Sequence, residues 1–316
     1  MIVPALPPPV LPGDRVGVAA LSGPIRPQRL DAGLAALAAL GYEPVPAANL
    51  RSCHEIFAGT DAERLDAFHE LAADGSLRAI VFARGGHGVL RLLPDLDWEL
   101  LARHPRAYVG YSDLTPFLLQ IAARLGLVAF HGPMVAGNLA DGLDEAERRS
   151  FEDALAGRYP VELAVATGPG PAGSGRLAGG CLSLLNDTLG TPWAADLGGA
   201  VVFLEETDEP LYRFDRMLTH LKLSGSLAEI RGMVSGHLIG VDGAGETERH
   251  GTRRCRDLLR ELARGADAAF AWGLDVGHSR PNLTLPLGMW ARLDPERGSL
   301  LLDPAAAPSP EASQRS

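Results

Sequence analysis

The sequence predicts an α/β protein built on a parallel sheet and followed by a β-rich second part. Over residues 14–130, short apolar runs typical of buried strands alternate with segments of helical periodicity. Glycine-rich or polar turns come directly after several of these strands. Beyond residue 180, short β-rich runs dominate. Because strands that alternate with helices along the chain pair in parallel, we expect helices on both faces of the first sheet.

The elements of the first part follow one another in regular order. They are strands at residues 14–21, 78–83, 107–109 and 127–130, and helices at residues 28–40, 61–73 and 113–125. Ligands of such sheets bind at the carboxyl ends of the strands. The loop 84–88, Ser112 and His131 each follow a strand end. We therefore expect these residues to share one edge of the sheet.

A change in composition divides the chain. Glycine, proline and small residues crowd into residues 164–180, which we interpret as an interdomain linker between domains at residues 1–163 and 181–303. Residues 304–316 are rich in Ala, Pro and Ser and are predicted to be a disordered tail. Within the second domain we expect strands at residues 200–204, 232–241, 268–274 and 289–293, a helix at residues 212–223 and a surface loop at residues 241–253.

Composition and charge exclude several classes of partner. The formal net charge is −10 with opposite charges interspersed, which argues against nucleic acid and anionic membranes as partners. No apolar run approaches the roughly 20 residues that span a bilayer, and the proline-rich start does not resemble a signal peptide. The three cysteines are far apart and form neither a metal nor a disulfide framework. We expect a cytoplasmic protein with no metal and no other cofactor.

The turn after the third strand carries a candidate nucleophile. Residues 110–113 read Gly-Tyr-Ser-Asp, so Ser112 lies on a sharp strand-to-helix turn with the free N–H groups of the helix nearby. Such a turn exposes a serine hydroxyl and can stabilise an oxyanion. The alternative is that Ser112 and Asp113 only cap the helix. Residues 84–88 read Arg-Gly-Gly-His-Gly; their N–H groups either complete an oxyanion hole with that of Asp113 or form a plain glycine turn.

A serine nucleophile also needs a base and a group that orients the base. Among the histidines, His278 stands out because it follows a β-rich run and precedes Ser-Arg-Pro-Asn, which would hold its loop in place. The apolar run at residues 201–204 ends in Glu205 and Glu206. One of these glutamates can face the catalytic edge, or both can be solvated charges at the end of a strand.

Together these segments resemble the LD-carboxypeptidase family, which includes murein tetrapeptide carboxypeptidases and microcin C self-immunity hydrolases. The resemblance rests on motifs that occur in order, at residues 13–16, 84–88, 110–113, 131–134, 179–180, 190–193, 203–206, 212–217, 277–278 and 286–288. Two positions depart from the family pattern: Cys181 stands where many relatives have asparagine, and Trp193 where tyrosine is more usual.

The resemblance implies a Rossmann-like N-terminal domain, a smaller β-rich C-terminal domain, a homodimer and no metal. It also implies a catalytic triad of Ser112, Glu205 and His278, with an oxyanion hole formed by the amides of Gly86 and Asp113.

The implied activity is release of the terminal D-alanine from murein tetrapeptides, which requires a group that binds a free carboxylate. Arg84 and Arg280 are candidates, although either could be a structural ion-pair residue. A second possibility is an immunity-type hydrolase of acyl-adenylate amides, for which Trp193 could be an aromatic platform rather than a packing residue. A third is a ligand-binding protein without catalysis.

Overall fold

The computed structural model describes residues 4–307, apart from the side chain of Glu246. Its strands are β1 (Arg15–Ala19), β2 (Glu43–Pro46), β3 (Leu77–Phe82), β4 (Ala107–Gly110), β5 (Ala129–His131), β6 (Val161–Ala164), β7 (Gly173–Cys181), β8 (Val201–Thr207), β9 (Gly232–Ile239), β10 (Ala269–Trp272), β11 (Leu285–Leu287), β12 (Trp290–Asp294) and β13 (Ser299–Leu302). Its helices are α1 (Pro27–Ala39), α2 (Asp61–Ala73), α3 (Val89–Leu92), α4 (Trp98–Arg103), α5 (Thr115–Leu125), α6 (Glu145–Leu155), α7 (Leu182–Asp187), α8 (Leu211–Leu223) and α9 (Arg253–Gly265).

The first sheet has the strand order β11-β5-β4-β3-β1-β2. Strands β1 to β5 pair with one another in parallel, which confirms the predicted α/β fold. Strand β11 comes from far along the chain and pairs antiparallel with β5, where Leu285 lies opposite His131. This pairing ties the loop that precedes β11 to the edge of the first sheet.

Local sequence signals account for where the main helices begin and end. A capping box between Thr60 and Glu63 begins α2, because each side chain satisfies a free backbone N–H of the other. Helix α5 has Pro116 in its first turn, where a proline costs no hydrogen bond, and ends at Gly126 in a left-handed conformation. The buried face of α5 packs in the same core as β3 and β4.

The second sheet has the order β10-β9-β8-β7-β12-β13-β6. Its strands β7 to β10 are parallel, and β12, β13 and β6 are antiparallel to their neighbours. The register between β8 and β9 shifts between Leu204 and Glu206, so Glu205 sits at an irregularity. Such irregularities redirect a side chain, and they are common beside active sites.

The predicted linker at residues 164–180 is wrong over most of its second half, because residues 173–181 form β7. The glycines there allow close packing rather than flexibility. A Cβ on Gly175 would lie 2.0 Å from the carbonyl oxygen of Gly199, and one on Gly179 would lie 1.9 Å from that of Phe203. These contacts admit only glycine, which is a usual reason for glycine inside a strand.

Two further domain expectations differ from the structure. Strand β11 falls inside the predicted second domain but pairs with β5 of the first sheet. In the predicted tail, residues 304–306 form a 3-10 turn, and residues 308–316 lie outside the described residues. Within residues 4–307, no helix is both long and apolar enough to cross a membrane.

Candidate active site

Ser112 lies on a strained turn between β4 and α5. It begins a 3-10 turn, Ser112–Leu114, directly ahead of the helix. Its φ angle is +63°, a left-handed conformation that costs a non-glycine residue about 1–2 kcal/mol. Strain of this kind at a serine between a strand and a helix is typical of a nucleophile elbow. The backbone therefore favours a functional serine over a simple helix cap, whose residue would have an extended conformation.

The side chain of Asp113 anchors this turn. It is buried, and its Oδ2 accepts a hydrogen bond from Ser22 Oγ at 2.6 Å and another from Val89 N–H at 3.1 Å. The carboxylate thus joins the turn to the segment after β1 and to the start of α3. This leaves the backbone N–H of Asp113, not its side chain, as the candidate oxyanion donor.

The glycine loop at residues 84–88 lies directly against Ser112. A Cβ on Gly85 would be 2.9 Å from Ser112 Cβ, 3.1 Å from Ser112 Oγ and 3.4 Å from the Asp113 nitrogen. Gly86 has a φ of +121°, which only glycine adopts readily. The absence of side chains at these two positions leaves open the space beside the hydroxyl. A developing oxyanion would need that space.

His278 and Glu205 form a buried pair. His278 Nδ1 lies 2.6 Å from Glu205 Oε2, and Glu205 has no exposed surface. Because a carboxylate only accepts hydrogen bonds, Nδ1 carries the proton and Nε2 keeps its lone pair. Burial acts to raise the pKa of Glu205, but His278, His131 and His237 outweigh it and hold that pKa below its usual value. Burial acts to lower the pKa of His278, yet the charge and hydrogen bond of Glu205 raise it above its usual value.

Glu206 has different partners from Glu205. Its Oε2 accepts the N–H of Ser183 at 2.7 Å, and its Oε1 accepts the N–H of Thr207 at 2.9 Å. Burial, and then the charge of Glu205, raise the pKa of Glu206 to about 7. Of the two glutamates that the sequence singles out, Glu205 is the one hydrogen-bonded to His278.

A cavity of about 540 Å³ is lined both by residues at the edge of the first sheet and by the loop that carries His278. Ser112, His278 and Gly86 all line it, as do Arg26 and Arg84. The positive charges of these arginines suit a site for an anionic substrate and are not expected in a purely apolar pocket. Sequence reasoning missed Arg26, because nothing in the sequence indicates that the residue before α1 faces this cavity.

The three candidate substrate-binding residues have different surroundings. Arg84 lines the cavity and donates hydrogen bonds to the carbonyl oxygens of Pro24 at 2.9 Å and Gly85 at 3.2 Å. Arg280 does not line it; its Nη2 lies 2.6 Å from Oε2 of the buried Glu147. The expectation that Arg280 could be an ion-pair residue therefore fits the structure.

One aromatic ring and one guanidinium contact the third candidate, Trp193. Trp193 stacks on Trp98 with ring centroids 6.0 Å apart, and the guanidinium of Arg124 lies 4.3 Å from its ring centroid. Trp193 does not line the cavity that contains Ser112. These contacts favour the packing role over the aromatic platform.

Comparisons with known proteins match both parts of the chain to one family. Residues 16–132 match the model of the LD-carboxypeptidase N-terminal domain, and residues 174–293 match that of the LD-carboxypeptidase C-terminal domain. A probable murein peptide carboxypeptidase of Bacillus subtilis is 34% identical over 290 residues, which cover 89% of each chain. The murein tetrapeptide carboxypeptidase of Pseudomonas aeruginosa is 29% identical over 294 residues, covering 90% of this chain and 94% of that one.

Solved structures of two proteins are also similar to this chain over most of its length. The muramoyltetrapeptide carboxypeptidase from Oxalobacter formigenes is 30% identical with a TM-score of 0.80, and the match covers 91% of this chain and 97% of that one. The structure of MccF in complex with glutamyl sulfamoyl guanosine is 25% identical with a TM-score of 0.84, covering 95% of this chain and 98% of that one.

Proposed function

The chain belongs to the LD-carboxypeptidase family, and from this premise we propose that it releases the terminal D-alanine of murein tetrapeptides by cleaving their L,D-amide bond. The main support for the proposal is that Ser112 and His278 line the same cavity while Glu205 is hydrogen-bonded to His278. The names of the murein peptide relatives support the choice of substrate.

The proposed reaction is acyl transfer through a serine. His278 Nε2 takes the proton of Ser112 Oγ, which attacks the amide carbonyl, while Glu205 holds the imidazole tautomer and stabilises the imidazolium. The N–H groups of Gly86 and Asp113 bind the tetrahedral oxyanion, each worth about 3–4 kcal/mol in comparable sites. His278 then protonates the leaving amine of D-alanine, and water hydrolyses the acyl-enzyme.

The free carboxylate of the leaving D-alanine requires a cation beside the scissile bond. Arg84 is our preferred candidate because it lines the cavity with Ser112. Arg26 is exposed and lines the same cavity, so it can provide a second positive charge. Arginine suits this task because its planar guanidinium can bind a carboxylate with two hydrogen bonds.

A second candidate is hydrolysis of an amide in an aminoacyl-adenylate analogue. It is favoured by the likeness to MccF structures solved with glutamyl sulfamoyl guanosine and aspartyl sulfamoyl adenosine. The packing of Trp193 on Trp98 and Arg124 counts against an aromatic platform for a nucleobase. A ligand-binding protein without catalysis is the remaining alternative.

One assay separates these three functions. The purified protein is incubated in parallel with a murein tetrapeptide and an aminoacyl sulfamoyl adenylate, and the released D-alanine and amino acid are measured. We expect D-alanine release that Ser112→Ala lowers by about 10⁴-fold or more, with nearly unchanged thermal unfolding. Hydrolysis of only the adenylate analogue would favour the second candidate. No hydrolysis of either, with no labelling of Ser112 by a fluorophosphonate, would favour a binding protein.

We further propose that the activity belongs to peptidoglycan recycling in the cytoplasm and that the protein is a homodimer. The murein names of the relatives support the first part. Light scattering coupled to size-exclusion chromatography tests the dimer, and a mass matching a single chain of 33.3 kDa would contradict it.

A further inference from the structure

A second cluster of histidine and carboxylate groups lies beside the loop that carries His278. His237, in β9, is fully buried, and its Nε2 lies 3.6 Å from Asp275 Oδ1. The same oxygen lies 3.4 Å from His250 Nε2 and 3.2 Å from Arg249 Nη2. The Ser112 mechanism uses none of these four side chains directly.

The ligand atoms of His237, His250 and Asp275 are close enough to one another to hold a metal ion. The hydrogen bonding of His237 argues against that use. The backbone N–H of Ser279 donates to His237 Nδ1 at 3.2 Å, so Nδ1 has a lone pair and a neutral ring carries its proton on Nε2. A metal-bound histidine has the opposite arrangement, with its other nitrogen donating. Arg249 already neutralises Asp275, which further disfavours a cation here.

The same contacts hold the His278 loop in place. The backbone N–H of His237 donates to the carbonyl oxygen of Val276 at 2.8 Å, and its side chain accepts from Ser279. His237 therefore holds the loop on both sides of His278, two residues before it and one residue after it. Asp275 influences the tautomer of His237, because its charge favours a proton on Nε2 and so leaves Nδ1 as the acceptor.

We propose that His237 is a positioning residue: the Nδ1 lone pair of its neutral ring holds the N–H of Ser279 and so fixes His278 against Glu205. The proposal rests on the proposed function, in which His278 is the general base. A base displaced by about 1 Å can lose about 10²-fold in rate, so a contact one residue away from it is enough to matter.

The charges around His237 agree with a neutral ring. Burial lowers the pKa of His237, although the neighbouring Asp275 acts to raise it. His250 also faces the ring, with centroids 5.3 Å apart, and Glu205 and His131 are near enough to interact electrostatically. A proton on Nδ1 would remove the acceptor for Ser279.

Two amide substitutions at His237 test whether its side chain acts as a hydrogen-bond acceptor or only fills space. In His237→Asn the side-chain oxygen falls near the place of Nδ1, whereas in His237→Gln it falls near the place of Nε2. We expect H237N to keep kcat within about threefold of the wild type and H237Q to lose about tenfold or more, with KM little changed in both. His54→Leu, at an exposed position outside the site, is the control. Thermal melts show whether each variant is folded, and His237→Leu replaces H237Q if that variant does not fold.

A spectroscopic signal keeps this test independent of the substrate. The proton on His278 Nδ1, 2.6 Å from a carboxylate, should give a far-downfield NMR resonance in the wild type. We expect H237N to keep this resonance and H237Q to broaden or lose it. Equal kcat in all variants, or equal loss of rate and resonance in H237N and H237Q, would overturn the proposal. A wild type that shows the resonance but hydrolyses no amide would instead contradict the proposed function.

Discussion

Glu205 and Glu206 are consecutive residues of β8, yet only Glu205 reaches His278. The carboxylate of Glu205 lies 2.6 Å from the imidazole, whereas that of Glu206 accepts two backbone N–H groups, from Ser183 and Thr207. Side chains alternate between the two faces of a strand, so adjacent glutamates meet different surroundings. Both are buried, and the position in the strand decides which one can hydrogen-bond to His278, the proposed base.

This relationship predicts different effects on kcat for the matched substitutions Glu205→Gln and Glu206→Gln. Glu205→Gln removes the charge that is proposed to stabilise the imidazolium of His278, so we expect kcat to fall by about 10²- to 10⁴-fold. Glu206→Gln leaves that charge in place, so we expect kcat to stay within about threefold. Its amide can accept only one of the two N–H groups well, so we expect a loss of about 1–2 kcal/mol in the free energy of unfolding. Steady-state kinetics and urea denaturation measure both effects. A larger fall in kcat for Glu206→Gln than for Glu205→Gln would show that Glu206, not Glu205, assists His278.

The pH dependence of kcat/KM follows from the same pair. Burial would lower the pKa of His278, but Glu205 outweighs it and the pKa stays above the usual value of about 6.5. As the proposed general base, His278 must be unprotonated, so kcat/KM should fall as the pH drops through this raised pKa, with a midpoint above about 6.5. Glu206 also acts to raise the pKa of His278, so Glu206→Gln should move the midpoint to lower pH. A midpoint near pH 5, unchanged in that variant, would contradict the assignment.

A methyl group added at Gly85 would occupy the space beside Ser112. Gly85 does not have a left-handed φ, so its backbone tolerates alanine, but the new Cβ would lie 2.9 Å from Ser112 Cβ and 3.1 Å from Ser112 Oγ, so Ser112 would also have to shift. We expect Gly85→Ala to lower kcat by about 10²-fold, because it intrudes on the oxyanion position. Gly168→Ala is the matched control, since nothing lies within 4 Å of its Cβ. Steady-state kinetics and thermal melts of both variants make the test, and equal kcat values would place the oxyanion elsewhere.

Strands β1, β3, β4 and β5 of the first sheet are predictable because their signals are local, whereas the edge strands β2 and β11 are not among the predicted strands. The predicted helix at residues 61–73 coincides with α2, and the strand at residues 107–109 falls within β4. A capping box and a short apolar run are each complete within a few residues, so the sequence alone is sufficient to recognise them. The predicted first strand, residues 14–21, begins one residue before β1 and extends two residues beyond it, where the apolar run continues after the pairing ends.

The errors come from contacts that are distant in sequence. Residues 173–181 look like a linker because they are rich in glycine, but the need for those glycines arises from backbone groups such as that of Phe203. Helices α6 and α9, like the short helices α3, α4 and α7, are not among the predicted elements, although the α6 sequence does carry a capping box at Asp144 and Glu147 that could have revealed it. The candidate site residues lie in motifs that occur in order along the chain, whereas the contact of His237 with Ser279 has no signal in the sequence.

The two candidate carboxylate-binding arginines should differ in what they change. Arg84 lines the cavity, so we expect Arg84→Met to raise KM for the tetrapeptide by about tenfold or more. A tetrapeptide with a terminal carboxamide should show little difference between this variant and the wild type, because the charge that Arg84 would bind is gone. Arg280 instead pairs with the buried Glu147, so Arg280→Met should leave KM nearly unchanged and cost about 1–3 kcal/mol in the free energy of unfolding. A rise in KM for Arg280→Met but not for Arg84→Met would move the carboxylate subsite to Arg280.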